Sequence, residues 1–537
     1  MSGFGREAAL RRLASEQFDL LVIGGGITGC GVAREAALRG LRVALVEALD
    51  FASGTSSRST RLIHGGLRYL RQGEVRLVRE AVRERELLLR TAPHLVRPLQ
   101  FLFPVYRGDP DALLLVRLGI GLYERLAGLP ADARHLLLTP EDVHERMPAL
   151  RSEGLRGGAA YVDALTDDAR LTLAVAQSAA AEGAAVANYC RVLHLIGADE
   201  GTVRGAEVRD EESGAVFAVQ AARTLIAAGP WADRLRDAKA PLLRLTKGVH
   251  LVLRQEDLPL PSACVLRGPD GRLMFAVPDG PVTYIGTTDT DAESPDDDEI
   301  TPQDADYVLQ AARLAFPGSD ITEGAVIGAW AGVRPLVRPK PGAAPSEVSR
   351  DYRLSFAADG TVYVVGGKLT AFRAMASRIV DRLFAATRGA QAEQCSRRPL
   401  PGGDQSPPTG DEWRRLARTV GVPEELLSRA LVPYGSALPS VLTDLPSSRS
   451  QPPQQRLVRM QLRYAAREEM ALHLTDVLQR RTGFLRFSAR KTRREIAALG
   501  AEMAQLQGWS EARERAEIEA VESQWRRMFA WRDGDFA

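Results

Sequence analysis

Phe18-Asp-Leu-Leu-Val-Ile-Gly-Gly-Gly-Ile-Thr-Gly29 decides the fold. Phe18 to Ile23 is a largely apolar run of strand length that ends directly in Gly24-Gly25-Gly26-Ile27-Thr28-Gly29. A helical pattern runs from about Cys30 to Arg39, Gly40 stops it, and Leu41 to Val46 reads as a second buried strand. In a strand–turn–helix of this kind the glycines make the tight turn, let backbone approach a pyrophosphate and let helix pack on strand. The helix N-terminus favours the phosphate charge. Glu47 closes the second strand 18 positions after Gly29 (47 − 29), where a carboxylate accepts hydrogen bonds from a ribose diol. Gly24, Gly25, Gly26, Gly29 and Glu47 are therefore candidate dinucleotide contacts, and at this point both NAD and FAD fit.

The following residues favour FAD. Asp50 to Ser57 is small and hydroxyl-rich, and its Thr55, Ser56 and Ser57 suit a ribityl chain and pyrophosphate. Near the far end, Thr361 to Val365 reads as a strand that runs into Gly366-Gly367-Lys368-Leu369-Thr370 and then a helical segment. Reduced flavin carries negative charge near N1 and O2, and a second glycine-fed helix N-terminus there would stabilise it. Between these ends, Gly183 to Val192 and the strand Thr224 to Ala228, followed by Gly229-Pro230-Trp231, read as further backbone contacts, with Val192, Gly229 and Trp231 as candidates.

Residues 59–70, Ser-Thr-Arg-Leu-Ile-His-Gly-Gly-Leu-Arg-Tyr-Leu, follow the fingerprint by one short connection. The segment can lay Arg61, Leu62, Gly65 and Gly66 along a cofactor while presenting His64 as a base and Arg68 as a cation. That combination points to a flavoenzyme acting on a small anion.

Seven ordered blocks then resemble the FAD-dependent, aerobic-type glycerol-3-phosphate dehydrogenase family, from about Phe18 to the C-terminus. They are Ile23-Gly-Gly-Gly to Arg39-Gly40, Leu62-Ile-His-Gly-Gly-Leu-Arg-Tyr-Leu70, Lys247-Gly-Val-His250, Ile285-Gly-Thr-Thr-Asp289, Gly332-Val-Arg-Pro-Leu336, Ser349-Arg-Asp-Tyr352 and Gly366-Gly-Lys-Leu-Thr370. Glu35, Ala371 and Phe372 depart from the family's usual Asp, small hydroxyl residue and Tyr. The resemblance implies oxidation of sn-glycerol 3-phosphate to dihydroxyacetone phosphate by hydride transfer to flavin N5. It also implies electrons passed to a membrane quinone, peripheral attachment at the cytoplasmic face and a homodimer.

That chemistry assigns roles. A base must take the hydroxyl proton, and histidine suits it because its unperturbed pKa is ~6.5. His64 and His250 are the two histidines inside motif blocks; either is the base, or both only hydrogen-bond flavin or backbone. A phosphate dianion needs cations and planar donors: Arg68, Arg334 and Arg350, with Tyr69 as hydroxyl donor. Arg350 has a rival reading as an ordinary salt-bridged turn. Only five of the 70 basic residues are lysine, and two of them, Lys247 and Lys368, fall inside motifs. Lys247 is a substrate candidate, and Lys368 serves flavin N1/O2 or the substrate phosphate.

At 537 residues the chain has room for two or three domains. The expected fold class is α/β: a discontinuous Rossmann-like FAD domain, an inserted mixed or antiparallel substrate sheet and an all-α C-terminal domain. The expected division is a frayed lead-in over 1–17, the FAD domain over 18–105, 150–240 and 325–385, and the substrate domain over 106–149 and 241–324. A Pro/Gly-rich linker over 386–410 and helices over 411–537, interrupted by a loop at Asp444 to Gln455, complete it. A net charge of +2 gives no global pull toward nucleic acid. Cys30, Cys190, Cys264 and Cys395 form no CxxC pair, so no metal site is expected, and the cysteine usage and missing apolar signal core read as cytoplasmic.

Two segments bear on membranes. Leu113 to Leu129 is the most apolar long run, but Arg117, Glu124 and Arg125 interrupt it, leaving a buried amphipathic or an interfacial helix. Arg456, Arg459, Arg463 and Arg467 share one helix face, inside a stretch to Arg494 of net +8 (11 basic, three acidic). Anionic lipid would meet that stripe; residues 495–537, net −4, would instead neutralise it within the domain. Beside the dehydrogenase reading stand an oxidase using O2, an amino-acid oxidase-like flavoprotein and a flavin-bound nucleic-acid-binding module.

Overall fold

The computed structural model describes residues 4–66, 74–109, 121, 135–199, 201–236, 240–338, 352–387, 397–405, 408–446, 451–488 and 492–532. Arg68, Tyr69, Arg350 and nearly all of the 113–129 run lie outside the described residues.

The fingerprint strand Leu20–Ile23 sits near the middle of a six-stranded sheet. The order is Tyr352–Phe356, Val362–Gly366, Thr224–Ile226, Leu20–Ile23, Val43–Val46, Ala185–Ala187. All neighbours are parallel except the Tyr352–Phe356 edge, which is antiparallel to Val362–Gly366. Both faces are covered, which is why these strands read as continuous apolar runs. Leu20, Val22, Val43 and Leu45 pack against the helices Ile27–Leu38, Asp168–Ala181 and Phe372–Leu383. Leu21, Ile23, Ala44 and Val46 face a second layer.

That layer contains a four-stranded sheet and the helix Arg6–Ser15, whose Ala9 and Leu13 are buried in it. Arg6 ion-pairs with Asp210 and donates to the Asn188 carbonyl at 3.1 Å. The expectation of a frayed lead-in is corrected here: over 6–15 the chain carries an amphipathic helix that seals the sheet.

The second large sheet has ten strands. Its path runs Thr290–Asp291, Leu243–Arg254, Val282–Gly286, Leu273–Asp279, Ala263–Arg267, Val96–Tyr106, Leu155–Thr166, Leu62–Ile63, with Val326–Val337 on Leu243–Arg254 and Leu136–Leu138 on Leu155–Thr166. It is antiparallel except where Ala263–Arg267 meets Val96–Tyr106. The strands Val96–Tyr106, Leu155–Thr166 and Val326–Val337, which the sequence placed with the dinucleotide domain, therefore belong to this sheet. Each pairs over most of its length with a partner distant in sequence.

Alternation along Leu243–Arg254 divides its two faces. Val249, Leu251 and Leu253 join a core that includes the helix Pro302–Ala315 and C-terminal residues such as Leu474, Leu478, Leu485 and Val521. Val252, with Tyr284 and Trp330, faces the other way. The C-terminal helices thus share a core with this sheet. The stretch read as a linker is packed where it is described: Leu400 is buried and its N–H donates to the Thr91 carbonyl at 2.9 Å.

The arginine stripe is paired inside the C-terminal domain. Arg459 and Arg463 both meet Glu502, Arg467 meets Asp444, and Arg456 is buried and donates to the carbonyls of Val420, Gly421 and Pro446. Among the described residues no helix is long and apolar enough to cross a membrane.

Candidate active site

A cavity of about 620 Å³ opens along the carboxyl ends of the parallel strands and under the ten-stranded sheet. Strand order dictates its wall. Gly366 to Thr370 follow one strand, Ala227 to Trp231 the next, Gly24 and Gly26 to Thr28 the next, then Glu47 to Leu49, and Cys190 to Val192 follow the last. Three strand spacings of ~4.8 Å separate the Gly366 and Glu47 strands, about 14 Å in all. A long ligand laid across the strand ends meets both, as expected for an open parallel sheet.

The glycines are there because side chains would not fit. A Cβ on Gly29 would lie 1.9 Å from the Gly24 carbonyl oxygen, so Gly29 fixes how closely helix approaches strand. A Cβ on Gly24, at φ +118°, would lie 2.5 Å from the Ala227 oxygen. Gly26 faces Ser56, whose Oγ accepts the Ile27 N–H at 2.9 Å at the helix start. Gly24 and Gly26 line the cavity, whereas Gly25 and Gly29 hold its frame without lining it.

Glu47 is half-buried on the cavity wall, and its oxygens accept the Gly25 N–H at 2.6 Å and the Leu49 N–H at 2.9 Å. Burial raises its carboxyl above the ordinary value, against the lowering effect of those two bonds. Each oxygen has a second acceptor position for a diol. This carboxylate, the glycine turn, the hydroxyls of Thr55 and Ser56 and the second turn at Gly366–Thr370 fit a dinucleotide.

Three further segments converge on the same cavity. His64 and Leu62 come from the first, His250 from Leu243–Arg254, and Arg334 from Val326–Val337; all four line the cavity. The His64 N–H donates to Thr370 Oγ1 at 3.2 Å, tying the histidine segment to the second turn, and Lys368 and Leu369 line the same wall. His250 Nε2 meets Thr60 Oγ1 at 3.0 Å. Burial first, then the charges of Arg334 and Arg486, hold its imidazole well below the usual histidine range, hence neutral. Arg334 ion-pairs with Asp289 at 3.0 Å and donates to Thr287 Oγ1 at 2.8 Å and the Thr288 carbonyl at 3.2 Å.

This geometry explains three of the blocks at once. A Cβ on Gly248 would lie 2.0 Å from the Arg334 guanidinium, and a Cβ on Gly286 would lie 2.2 Å from the His250 ring. The glycines of Lys247-Gly-Val-His250 and Ile285-Gly-Thr-Thr-Asp289 are the spaces these two side chains occupy, and Thr287 to Asp289 hold the arginine.

Three expectations are corrected. Lys247 is off the cavity: three residues from His250 in a strand, it lies on the opposite face. There its Nζ donates to the Glu299 carbonyl at 2.8 Å and pairs with Asp304 at 3.3 Å and Asp297 at 3.5 Å. Arg61 is buried in an ion cluster, with Asp167 at 2.6 Å and Asp279 at 3.0 Å, stacked over Phe487. Ser57 is buried behind the loop, its carbonyl accepting from Arg486. Gly65 and Gly66 follow His64 without lining the cavity. Val192, Gly229, Trp231, Gly366 and Gly367 do line it.

Sequence reasoning missed Arg58, Thr60, Arg234 and Asp296, all on the cavity wall. Arg58 pairs with Asp298, and Asp296 accepts from Trp231 Nε1 at 2.8 Å and pairs with Arg234 at 2.6 Å. Thr60 carried a signal, since it lies between Ser59 and the histidine block. The acidic run Asp296 to Asp298 carried none for its distant partners.

Fold and site together define an oxidoreductase built around a flavin dinucleotide. The chain matches the FAD dependent oxidoreductase family over residues 19–382 and the C-terminal domain of alpha-glycerophosphate oxidase over 394–514. It is 36% identical to an aerobic glycerol-3-phosphate dehydrogenase of Staphylococcus epidermidis, with 97% of each chain covered. The protein of that name from Staphylococcus aureus is 35% identical over the same shares. The X-ray structure of the glycerol-3-phosphate dehydrogenase from Bacillus halodurans, complexed with FAD, matches with a TM-score of 0.81 at 32% identity, covering 100% of both chains. The chain belongs to the FAD-dependent glycerol-3-phosphate dehydrogenase family.

Proposed function

We propose that the chain oxidises sn-glycerol 3-phosphate to dihydroxyacetone phosphate and passes the electrons to a membrane quinone. The observation that carries this reading is that His64, His250 and Arg334, distant in sequence, line one cavity with the dinucleotide glycines. Bound FAD would supply the two-electron acceptor for the hydride of the carbinol carbon. His64 takes the hydroxyl proton. His250, held neutral between Trp330 and Thr60, positions the substrate without adding a second charge. Arg334, fixed by Asp289 and Thr287, binds the phosphate, together with Arg68, Tyr69 and Arg350 from outside the described residues. Lys368 stabilises the negative charge that develops at the reacting end.

The test is anaerobic mixing of purified protein with sn-glycerol 3-phosphate while the visible flavin absorbance is followed. Bleaching at the turnover rate supports substrate and reductive step together; a yellow protein that stays yellow overturns the substrate.

A second reading concerns only the acceptor. The match of residues 394–514 to the alpha-glycerophosphate oxidase C-terminal domain favours O2 in place of quinone. Hydrogen peroxide released at the turnover rate supports the oxidase, and turnover with a soluble quinone but no peroxide supports the dehydrogenase. Attachment to the cytoplasmic face of a membrane and a homodimer belong to the same proposal, and flotation with anionic vesicles and light scattering test them.

A further inference from the structure

The loop from Asp50 to Ser57 forms part of the cavity wall through Ser53, Gly54, Thr55 and Ser56. Its inner side is bonded to the glycine turn: Ser56 Oγ accepts the Ile27 N–H, and the Ala52 N–H donates to the Gly25 carbonyl at 3.1 Å. Both of its ends are held from the C-terminal helices. Asp50, fully buried, accepts Arg480 Nε at 2.6 Å and two Arg481 nitrogens at 2.8 and 2.9 Å. Ser57, at the other end, accepts the Arg486 guanidinium through its carbonyl. Asn188 Nδ2 adds a bridge from Asp50, at 3.2 Å, to the Met470 carbonyl, at 2.8 Å.

Three arginines within seven residues, 480 to 486, therefore grip one short loop at its two ends. A buried ion pair gives little net stability over an apolar core, because desolvation offsets the attraction. What such a pair does give is one geometry. A loop that must present hydroxyls and N–H groups to a pyrophosphate binds more tightly when that geometry exists before the ligand arrives.

We propose that the C-terminal domain is a clamp on the cofactor loop, with Arg480, Arg481 and Arg486 as positioning residues that set FAD affinity. The proposal rests on the FAD reading above. It gives the C-terminal helices a task at the dinucleotide, beyond their packing on the ten-stranded sheet.

The test compares FAD titrations into stripped protein, followed by flavin fluorescence and by the visible spectrum. Arg486→Met and Asp50→Asn are set against Glu212→Gln. That control removes the charge from a contact between the same two regions, Glu212 to His473 at 3.0 Å, without touching the loop. The clamp requires at least a tenfold weaker FAD affinity in Arg486→Met, partial rescue in Arg486→Lys, and less than a twofold change in Glu212→Gln. Affinity unchanged in Arg486→Met, or weakened equally in the control, overturns it. Should the variants fail to fold, hydrogen exchange of stripped wild-type protein decides: slow exchange at the 52–57 amides supports the clamp, and exchange as fast as an open turn overturns it. A wild-type protein that takes up no FAD at all overturns the flavoenzyme reading as well, which separates the two failures.

Discussion

The imidazole of His250 lies flat on the indole of Trp330, ring centroids 4.6 Å apart and planes 10° from parallel. Trp330 is itself fixed, since its Nε1 donates to the Ser59 carbonyl at 3.2 Å and Phe487 meets its face edge-on. The stack sets the rotation of the imidazole and delivers Nε2 to Thr60 Oγ1. The other nitrogen, Nδ1, has no hydrogen-bond partner among the described residues.

Thr60→Val keeps the shape and removes the hydroxyl, leaving a second buried nitrogen unpaired. The expected loss is about 1–3 kcal/mol of folding stability, with Thr60→Ser close to wild type. Urea unfolding midpoints check it, and an unshifted Val variant would show that the bond contributes nothing.

Two other histidines give opposite pH dependences. Burial first, then Arg170, pushes His94 down to about 4. The unfolded chain then binds the extra proton between pH 6.5 and 4, so stability falls on acidification, by at most about 3 kcal/mol from this group. His94→Gln should flatten the stability profile over that window. Burial opposes the charge on His473, but its bonds to Glu212 and Glu517 outweigh burial and raise it to about 10. Its contribution is fully present below pH 6.5 and fades as pH climbs through 10. The gap between wild type and His473→Gln should therefore be widest near pH 6 and close by pH 10, read from denaturant unfolding at each pH.

The dinucleotide framework was legible because its signals are local. The apolar runs, the glycine turn and the acid at Glu47 all lie within thirty residues; the structure keeps their order but shortens the strands to Leu20–Ile23 and Val43–Val46, starts the helix at Ile27 and pairs Phe18 in the four-stranded sheet. The alternation that separates Lys247 from His250 was equally available, and ignoring it put Lys247 in the site. Arg61 was beyond reach, since Asp167 and Asp279 stand 106 and 218 positions away. Strand pairing at comparable separations, as between Leu243–Arg254 and Val326–Val337, likewise leaves no mark on either strand. The N-terminal helix was missed for a smaller reason: only Ala9 and Leu13 are buried in it, a faint apolar stripe among arginines.

Gly29→Ala tests the framework directly. The added methyl would meet the Gly24 oxygen far inside van der Waals contact, so helix and strand must part. Overpacking of this kind costs about 1–3 kcal/mol. The glycine turn moves with the helix, so the protein should purify largely colourless. A yellow variant with wild-type FAD affinity would mean that the turn does not hold the cofactor.

Arg334→Ala removes a cation and its ion pair with Asp289 at 3.0 Å. Loss of a buried charge contact to phosphate is worth about 2–5 kcal/mol, so KM for sn-glycerol 3-phosphate should rise by roughly 30-fold or more. Arg334→Lys should recover part of this, because a point charge cannot reproduce the fork. An unchanged KM would remove Arg334 from the phosphate site.

His64→Ala separates chemistry from cofactor binding. The residue touches the second glycine turn through its backbone, whose N–H bonds to Thr370, and alanine retains that bond. FAD should therefore stay bound and the visible spectrum should change little. Loss of a positioned base costs about 10²–10⁴-fold, so anaerobic flavin reduction by sn-glycerol 3-phosphate should slow by that factor, with substrate affinity nearly intact. His250→Ala supplies the comparison. Its ring is neutral and packed on Trp330, so its removal should weaken substrate binding and folding more than it slows reduction. If His250→Ala instead abolishes reduction while His64→Ala leaves it at the wild-type rate, the proton goes to the stacked histidine and the assignment of the two is reversed.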